Sequence, residues 1–398
     1  MAPSRNIIVA GAGIGGLTAS LALAQRGFRV VLLEQADRLE EAGAGIQLSP
    51  NATRILAGLG LEERLRRDAV APPAIEIRTG GGSALARLPL EYGAARYGAP
   101  YLVTHRADLQ AALAEAVHGN PDIALKLGTR VDDFVTHGNG ITVACRHGAA
   151  TADEAGIALI CADGLWSRLR LRLGIREKPV FAGRVAWRAL IPAADVPAGV
   201  RGDSVGLWLG RGAHLVHYPV KRGEMVNIVA IVNDRWDHPG PGWNEPGEPR
   251  EILFRFSQGH WSKLARTIVA APRSWQKWAL HDLPPLRRWG VGPITLLGDA
   301  AHPMLPFLAQ GAAMAIEDAA VLAASLARSP DDIAAALRRY ERSRRGRTRR
   351  AQRAARGNSR TYHLAATEAV VRNLALRTLG GKMLLRRYDW LYDWRPTP

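Results

Sequence analysis

The stretch Ile7-Ile-Val-Ala10-Gly11-Ala-Gly13-Ile-Gly-Gly16, with Arg29-Val-Val-Leu-Leu-Glu34 shortly after it, decides the fold. Ile7 to Ala10 is a short apolar run, as a buried strand requires. Gly13 to Arg26 has helical spacing, with Leu17, Leu21 and Ala24 on one face. Gly27 stops that helix, and Arg29 to Glu34 forms a second apolar strand ending in a carboxylate. A strand, a glycine turn, a helix and another strand make a βαβ unit with parallel strands and a right-handed crossover.

The glycines form a G-x-G-x-x-G pattern between strand and helix. Gly11 permits the tight turn, Gly13 lets a pyrophosphate approach the backbone, and Gly16 lets helix and strand pack closely. The N–H groups at the helix start face the phosphate charge. Glu34 ends the second strand where a carboxylate can accept hydrogen bonds from an adenosine ribose. A dinucleotide ligand follows, but this pattern alone does not separate NAD from FAD.

Outward from that unit the chain is mixed. Arg106 to Val117 predicts a helix, and Thr129 to Ile160 alternates as β-hairpins do, with a turn at His137-Gly-Asn-Gly140. Val180 to Val232 is strand-rich, and Asp237 to Pro249 is dense enough in Gly and Pro to predict a loop. After Trp275 the α/β character returns, with a strand at Pro293 to Leu297 and a helix from Gly311 to Leu326. Helical sequence continues to about Arg387. The expected fold class is α/β: a discontinuous Rossmann-like domain (1–75, 100–178 and 275–340), a β-sheet substrate domain (76–99 and 179–274), and a C-terminal helical segment (341–398).

Composition bounds the function. The chain of 398 residues is 47% hydrophobic and 22% charged, which suits a large globular core. No apolar run is long enough to span a bilayer, and the start lacks a secretory pattern, so a cytoplasmic address is expected. Cys145 and Cys161 have no metal-ligand spacing, so no metal is expected and any redox chemistry must come from a cofactor. The net charge of +17 raises the question of nucleic acid. Much of it sits between Arg338 and Arg360, without the aromatic interleaving or zinc spacing of a nucleic-acid module. A solvated arginine-rich helix face is the simpler expectation, with no nucleic-acid partner and no membrane span.

Two later segments carry a family resemblance. Cys161-Ala-Asp163-Gly164-Leu-Trp-Ser167 resembles the Asp-Gly motif of the class A flavoprotein monooxygenases. Gly298-Asp299-Ala-Ala-His302-Pro-Met-Leu-Pro306-Phe-Leu-Ala-Gln-Gly311 resembles their Gly-Asp motif. Within that family the chain is most similar to the salicylate hydroxylase, 3-hydroxybenzoate 6-hydroxylase and 6-hydroxynicotinate 3-monooxygenase group. The resemblance implies FAD as cofactor, NADH or NADPH as co-substrate, and O2 transfer through a flavin C4a-hydroperoxide to a small aromatic ring. It implies that Asp299 binds the ribityl chain and Arg106 the FAD phosphates or ribityl. It also places Pro306 beside the isoalloxazine, Gly311 at a helix start facing the flavin pyrimidine, and Gln47 over the flavin. Asp163 and Gly164 would serve both FAD and the transient nicotinamide. Simpler roles remain open: Asp299 as a helix cap, Asp163 as a turn holder, Arg106 as a surface arginine.

The substrate site is expected around Gly212-Ala-His214-Leu-Val-His217-Tyr218. On a strand, His214, Val216 and Tyr218 share one face, and Leu215 and His217 the other. The resemblance favours His214 as the base and Tyr218 as a hydroxyl partner. A purely structural role for either histidine is the alternative. Gln47 and Phe307 stand where the hydroxynicotinate enzymes carry histidines, which weakens that assignment. An FAD reductase, a flavin halogenase and an arginine-rich nucleic-acid or acidic-partner binder remain rival functions, and a homodimer is one option for the assembly.

Overall fold

The computed structural model describes residues 6–39, 44–236, 244–258 and 261–396. Its first sheet has six strands in the order Gly290–Val291, Ile294–Leu296, Ala158–Cys161, Asn6–Ala10, Arg29–Leu33 and Ile123–Lys126. The pairs from Ile294–Leu296 to Ile123–Lys126 are parallel, and only the short Gly290–Val291 edge is antiparallel. Their apolar runs are explained by burial on both faces. The helices Ile14–Ala24 and Gly311–Ala327 pack on this sheet, and Ile7, Leu17, Leu32, Ile160, Leu296 and Ile316 belong to its core. A three-stranded antiparallel sheet, Thr129–His137, Gly140–His147 and Ala150–Gly156, turns at the Gly-Asn-Gly signal as expected.

The second large sheet has eight strands: Asn244–Gly247, Trp275–Asp282, Val180–Pro192, Met225–Asn233, Ala213–Val220, Val205–Gly210, Ala74–Thr79 and Ala84–Pro89. Its outer face carries Trp187, Leu215 and Ala230 and is covered by the helices Pro249–Ser257 and Lys263–Ala270. Its inner face turns to the dinucleotide side.

Two expectations need correction here. Trp275–Asp282, expected in the Rossmann-like domain, pairs with Val180–Pro192 in the large sheet. The stretch expected as a loop from Asp237 to Pro249 contains an edge strand, Asn244–Gly247, which tolerates Pro246 at the sheet margin. The remainder of that stretch, 237–243, lies outside the described residues.

The helix Ile333–Tyr362 is 30 residues long and crosses the expected boundary at 340. It is followed by Ala366–Leu379, Gly381–Arg386 and Asp389–Tyr392. The arginine tract on it is not a uniformly solvated face. Arg344 is fully buried and ion-paired to both Glu317 and Asp318, while Arg347 bonds Glu317 and the carbonyls of Trp390 and Leu391. Arg356 forms a bidentate pair with Asp282, and Arg350 stacks on Trp390. Arg345 bonds the Arg287 carbonyl, whereas Arg349 and Arg353 are exposed. No helix among the described residues is long and apolar enough to cross a membrane.

Candidate active site

Three sequence motifs meet at one edge of the six-stranded sheet. Gly11 has φ +105, and a Cβ there would lie 2.5 Å from the Ala162 carbonyl oxygen, directly before Asp163. A Cβ at Gly16 would overlap the Gly11 carbonyl oxygen, so the helix sits on the turn only because both positions are glycine. A Cβ at Gly13 would meet nothing within 4 Å, which leaves the groove above the helix start open to a ligand. Glu34 accepts hydrogen bonds from the Ala12 and Ala36 backbone N–H groups at 2.7 and 2.9 Å. Those bonds lock the turn, and an ionised carboxylate retains lone pairs for a ribose hydroxyl.

Asp299 opens onto the same side. It lies next to the start of the Gly311–Ala327 helix, its Oδ1 4.0 Å from where a Gly311 Cβ would stand. Its side chain is exposed in the cleft, yet the surrounding protein raises its carboxyl above the ordinary value, with His302 and Arg106 pulling it back down. Burial in turn lowers the Arg106 guanidinium, which Asp299 opposes. The Asp299 carboxyl and the Arg106 guanidinium thus act on one another beside a helix N-terminus, and FAD with its ribityl and pyrophosphate fits that set of groups.

Asp163 is anchored within its own turn. One oxygen accepts from Ser167 Oγ at 2.6 Å and the other from the Leu169 N–H at 3.1 Å, so the carboxylate fixes its own turn. Gly164 follows at φ +76 with open space at its Cβ position. Pro306 begins a 3-10 turn, Pro306–Leu308, and Ala309 adopts φ +53 before Gly311 opens the long helix.

A buried polar network holds these loops. Asp318 accepts from the Gly298 N–H, His302 Nε2 and Arg344 Nε. Glu317 binds Asn51, Arg344 and Arg347, and Gln310 reaches both Asn51 and Ser49. Hydrogen-bond donors on every carboxylate oxygen, with Arg344 shared between Glu317 and Asp318, make such a cluster tolerable in a low-dielectric interior. A cleft of about 450 Å³ lined by Arg287, Arg342, Arg349 and His302 adjoins the Gly-Asp loop but not the sheet face described next.

The inner face of the large sheet carries the candidate chemistry. His214 and Tyr218 do share a face of the Ala213–Val220 strand, and His217 points the other way, its ring against Gly206 and Trp208. Four residues of extended chain separate His214 from Tyr218 by about 13 Å. They therefore stand at two ends of a site rather than side by side.

At one end, the Tyr101 hydroxyl donates to Gln47 Oε1 at 2.6 Å, and Gln47 also acts on the nearby Tyr218 phenol. Gln47 is held there by the pairing of Gly45–Leu48 with Leu102–His105, and the Gly45 N–H donates to Asn227 on the large sheet. Burial raises both phenols above the ordinary range.

Between the ends, Arg188 stands in register with Val229 and Val216. Its guanidinium lies over the Trp278 ring at 5.3 Å and makes no hydrogen bond or ion pair among the described residues. Burial, reinforced by Arg106, pulls it down to about 10. It is still a cation at neutral pH.

At the other end, His214 is buried among Phe307, Tyr362 and His363, with ring centroids 5.1, 5.3 and 5.1 Å away. Its Nδ1 lies 2.8 Å from His363 Nε2. Burial drives it well below the ordinary histidine value, with His363 and Arg184 adding repulsion, so it is neutral at pH 7. Arg188, Tyr101, Tyr362 and His363 were all missed in the sequence. The Trp187-Arg188 pair amid the apolar run Val185 to Ile191 was the one available signal.

Comparison with known proteins agrees with this geometry. The family description "FAD binding domain" matches residues 5–355. The chain is 36% identical over 390 residues to a 3-hydroxybenzoate 6-hydroxylase of Polaromonas naphthalenivorans (strain CJ2), covering 98% of this chain and 96% of that one. It is 37% identical to a 6-hydroxynicotinate 3-monooxygenase of Bordetella bronchiseptica, covering 85% and 87%. A salicylate hydroxylase substrate complex superposes with a TM-score of 0.82 at 27% identity, covering 98% of this chain and 96% of that one. Klebsiella pneumoniae HpxO complexed with FAD and uric acid gives 0.84 at 28% identity, with 96% and 95% covered. Three converging dinucleotide motifs and end-to-end likeness lead to one conclusion: the chain belongs to the FAD-binding domain family and is an FAD-dependent aromatic hydroxylase.

Proposed function

We propose that this enzyme uses NAD(P)H and O2 to hydroxylate a ring bearing both a hydroxyl and a carboxylate, of the hydroxybenzoate type. The supporting observation is the two-ended sheet face: an unpaired guanidinium at Arg188 beside the Tyr101–Gln47–Tyr218 cluster, and a neutral imidazole at His214. A half-buried cation with no counter-ion beside it is completed by a ligand anion. Arg188 and the two phenols hold the carboxylate, and the hydroxyl is directed to His214.

When bound and reduced, FAD supplies the activated oxygen; the chain supplies orientation, water exclusion and proton handling. His214 accepts the hydroxyl proton, which puts electron density on the ring. A well-placed base of this kind contributes about 10²- to 10⁴-fold in rate. Phe307 and Tyr362 pack on His214 and keep water from that end. Glutamine at 47 and phenylalanine at 307 favour a hydroxybenzoate over a hydroxypyridine, because neither offers a titrating group to a ring nitrogen.

The test is a screen of hydroxybenzoates, hydroxypyridine carboxylates and unsubstituted phenols for stimulated NAD(P)H oxidation, with product analysis. Hydroxylated product from a carboxylated phenol supports the reading. Reduction, halogenation or exclusive turnover of uncharged phenols overturns it.

A further inference from the structure

His214 does not stand alone. His363, which ends the helix Ile333–Tyr362, places Nε2 2.8 Å from His214 Nδ1. Its own Nδ1 lies 2.8 Å from Oδ1 of Asn233, the last residue of the Met225–Asn233 strand. Backbone bonds hold all three in place: the Gly212 N–H donates to the His363 carbonyl at 3.2 Å, and the Asn233 N–H to the Gly212 carbonyl at 2.8 Å. Arg372 pins the helix end from below by donating to the carbonyls of Thr361 and Tyr362.

The chain of acceptors fixes every proton. An amide oxygen can only accept, so His363 carries its hydrogen on Nδ1. His363 Nε2 is then a lone pair, and His214 must carry its own hydrogen on Nδ1 to bond it. His214 Nε2 is left as a lone pair, with no hydrogen bond to any described residue.

We propose that His363 and Asn233 form a positioning relay that locks His214 in the Nδ1-protonated tautomer, making Nε2 the atom that receives the substrate's hydroxyl proton. This rests on His214 being the base. In the step, the substrate O–H bond breaks, its electron pair stays on oxygen, and the proton bonds to His214 Nε2. The new positive charge is shared through Nδ1–H with the His363 Nε2 lone pair. The charged groups acting on the two rings are Arg184, on the strand Val180–Pro192 beyond Asn233, which acts on both, and Arg372 on the helix Ala366–Leu379, which acts on His363. Both are cations, so the pair stays neutral until an anionic substrate arrives. Burial first, then these arginines, press His363 down to about 3.

The test begins with the unmutated FAD-loaded protein. Ring-nitrogen NMR of ¹⁵N-histidine should show Nδ1 protonated on both His214 and His363; a proton on His214 Nε2 overturns the proposal without any variant. His363→Phe keeps the ring packing but removes the acceptor, and His363→Gln restores one. In His363→Phe the bound substrate should ionise at higher pH in difference spectra, and product per NAD(P)H should fall about tenfold. FAD content and substrate Kd should stay within threefold, and His363→Gln should recover part of the coupling. If His214→Ala uncouples the enzyme while His363→Phe keeps wild-type ionisation and coupling, the relay is wrong and the base reading survives. If His214→Ala itself behaves as wild type, both fall.

Discussion

Replacing Arg188 with methionine separates ligand recognition from folding, because the two effects have opposite signs. In the ligand-free site the guanidinium has no counter-charge, and burial holds it at about 10 against an ordinary 12.5. That difference combines desolvation with repulsion from Arg106, on the order of 1–3 kcal/mol once solvent screening of the half-buried group is allowed for, and an apolar side chain of similar length incurs neither. The melting temperature of FAD-loaded, substrate-free R188M should therefore hold or rise. Binding should suffer, since a charge-assisted hydrogen bond contributes about 1.5–3 kcal/mol, or roughly 10- to 150-fold in Kd. Flavin absorbance titrations with a hydroxybenzoate and with the phenol lacking its carboxylate measure both terms. The carboxylated ligand should weaken by that factor, the bare phenol by less than threefold, and R188K should fall between wild type and R188M. Equal losses for both ligands, or wild-type affinity for the acid, would refute the assignment of Arg188 to the carboxylate.

Asp299→Ala should lower FAD occupancy of the purified protein, because it removes the acceptor beside the Gly311 helix start; retained wild-type FAD affinity contradicts its role. Arg344→Met leaves Glu317 and Asp318 without their shared buried cation and should cost about 3–5 kcal/mol in denaturant unfolding, whereas exposed Arg349→Gln with Arg353→Gln should change neither stability nor turnover measurably. His217, pressed down to about 4 by burial, takes up its proton only on unfolding between about pH 6.5 and 4. Its contribution to stability is thus present above pH 6.5 and lost as pH falls through that window, by up to about 3 kcal/mol. His217→Gln should flatten this acid limb in pH-dependent unfolding without altering product formed per NAD(P)H.

The βαβ unit was legible because its signals are local: an apolar run, three glycines and a terminal acid lie within the first 34 residues. Strand parity placed His214 with Tyr218 and turned His217 away for the same reason. What escaped depends on contacts between distant segments. Trp275–Asp282 looks like the approach to a parallel strand, and only its partner Val180–Pro192 puts it in the large sheet. The arginine tract looked solvated because its acids, Asp282, Glu317 and Asp318, precede it in the chain and face it only after the helices pack. His363 sits at the end of that same tract, and nothing near it in sequence points to a histidine on another strand.

The position of His363 so late in a chain of 398 residues has a consequence for synthesis. While the polypeptide emerges, the large sheet can pair before the helix that supplies Tyr362 and His363 exists. Its inner face, with Ile77, Leu207, Val216 and Val229 around Arg188, is then bare of the cover that the finished protein gives it. Nascent chains stalled before residue 363 would present a twisted apolar surface with unpaired edge strands, the kind of species that aggregates or recruits chaperones. Expression yield is accordingly more sensitive to truncation or bulky fusion at the C-terminus than at loops of the Rossmann-like domain, even though no cofactor motif lies beyond Gly311.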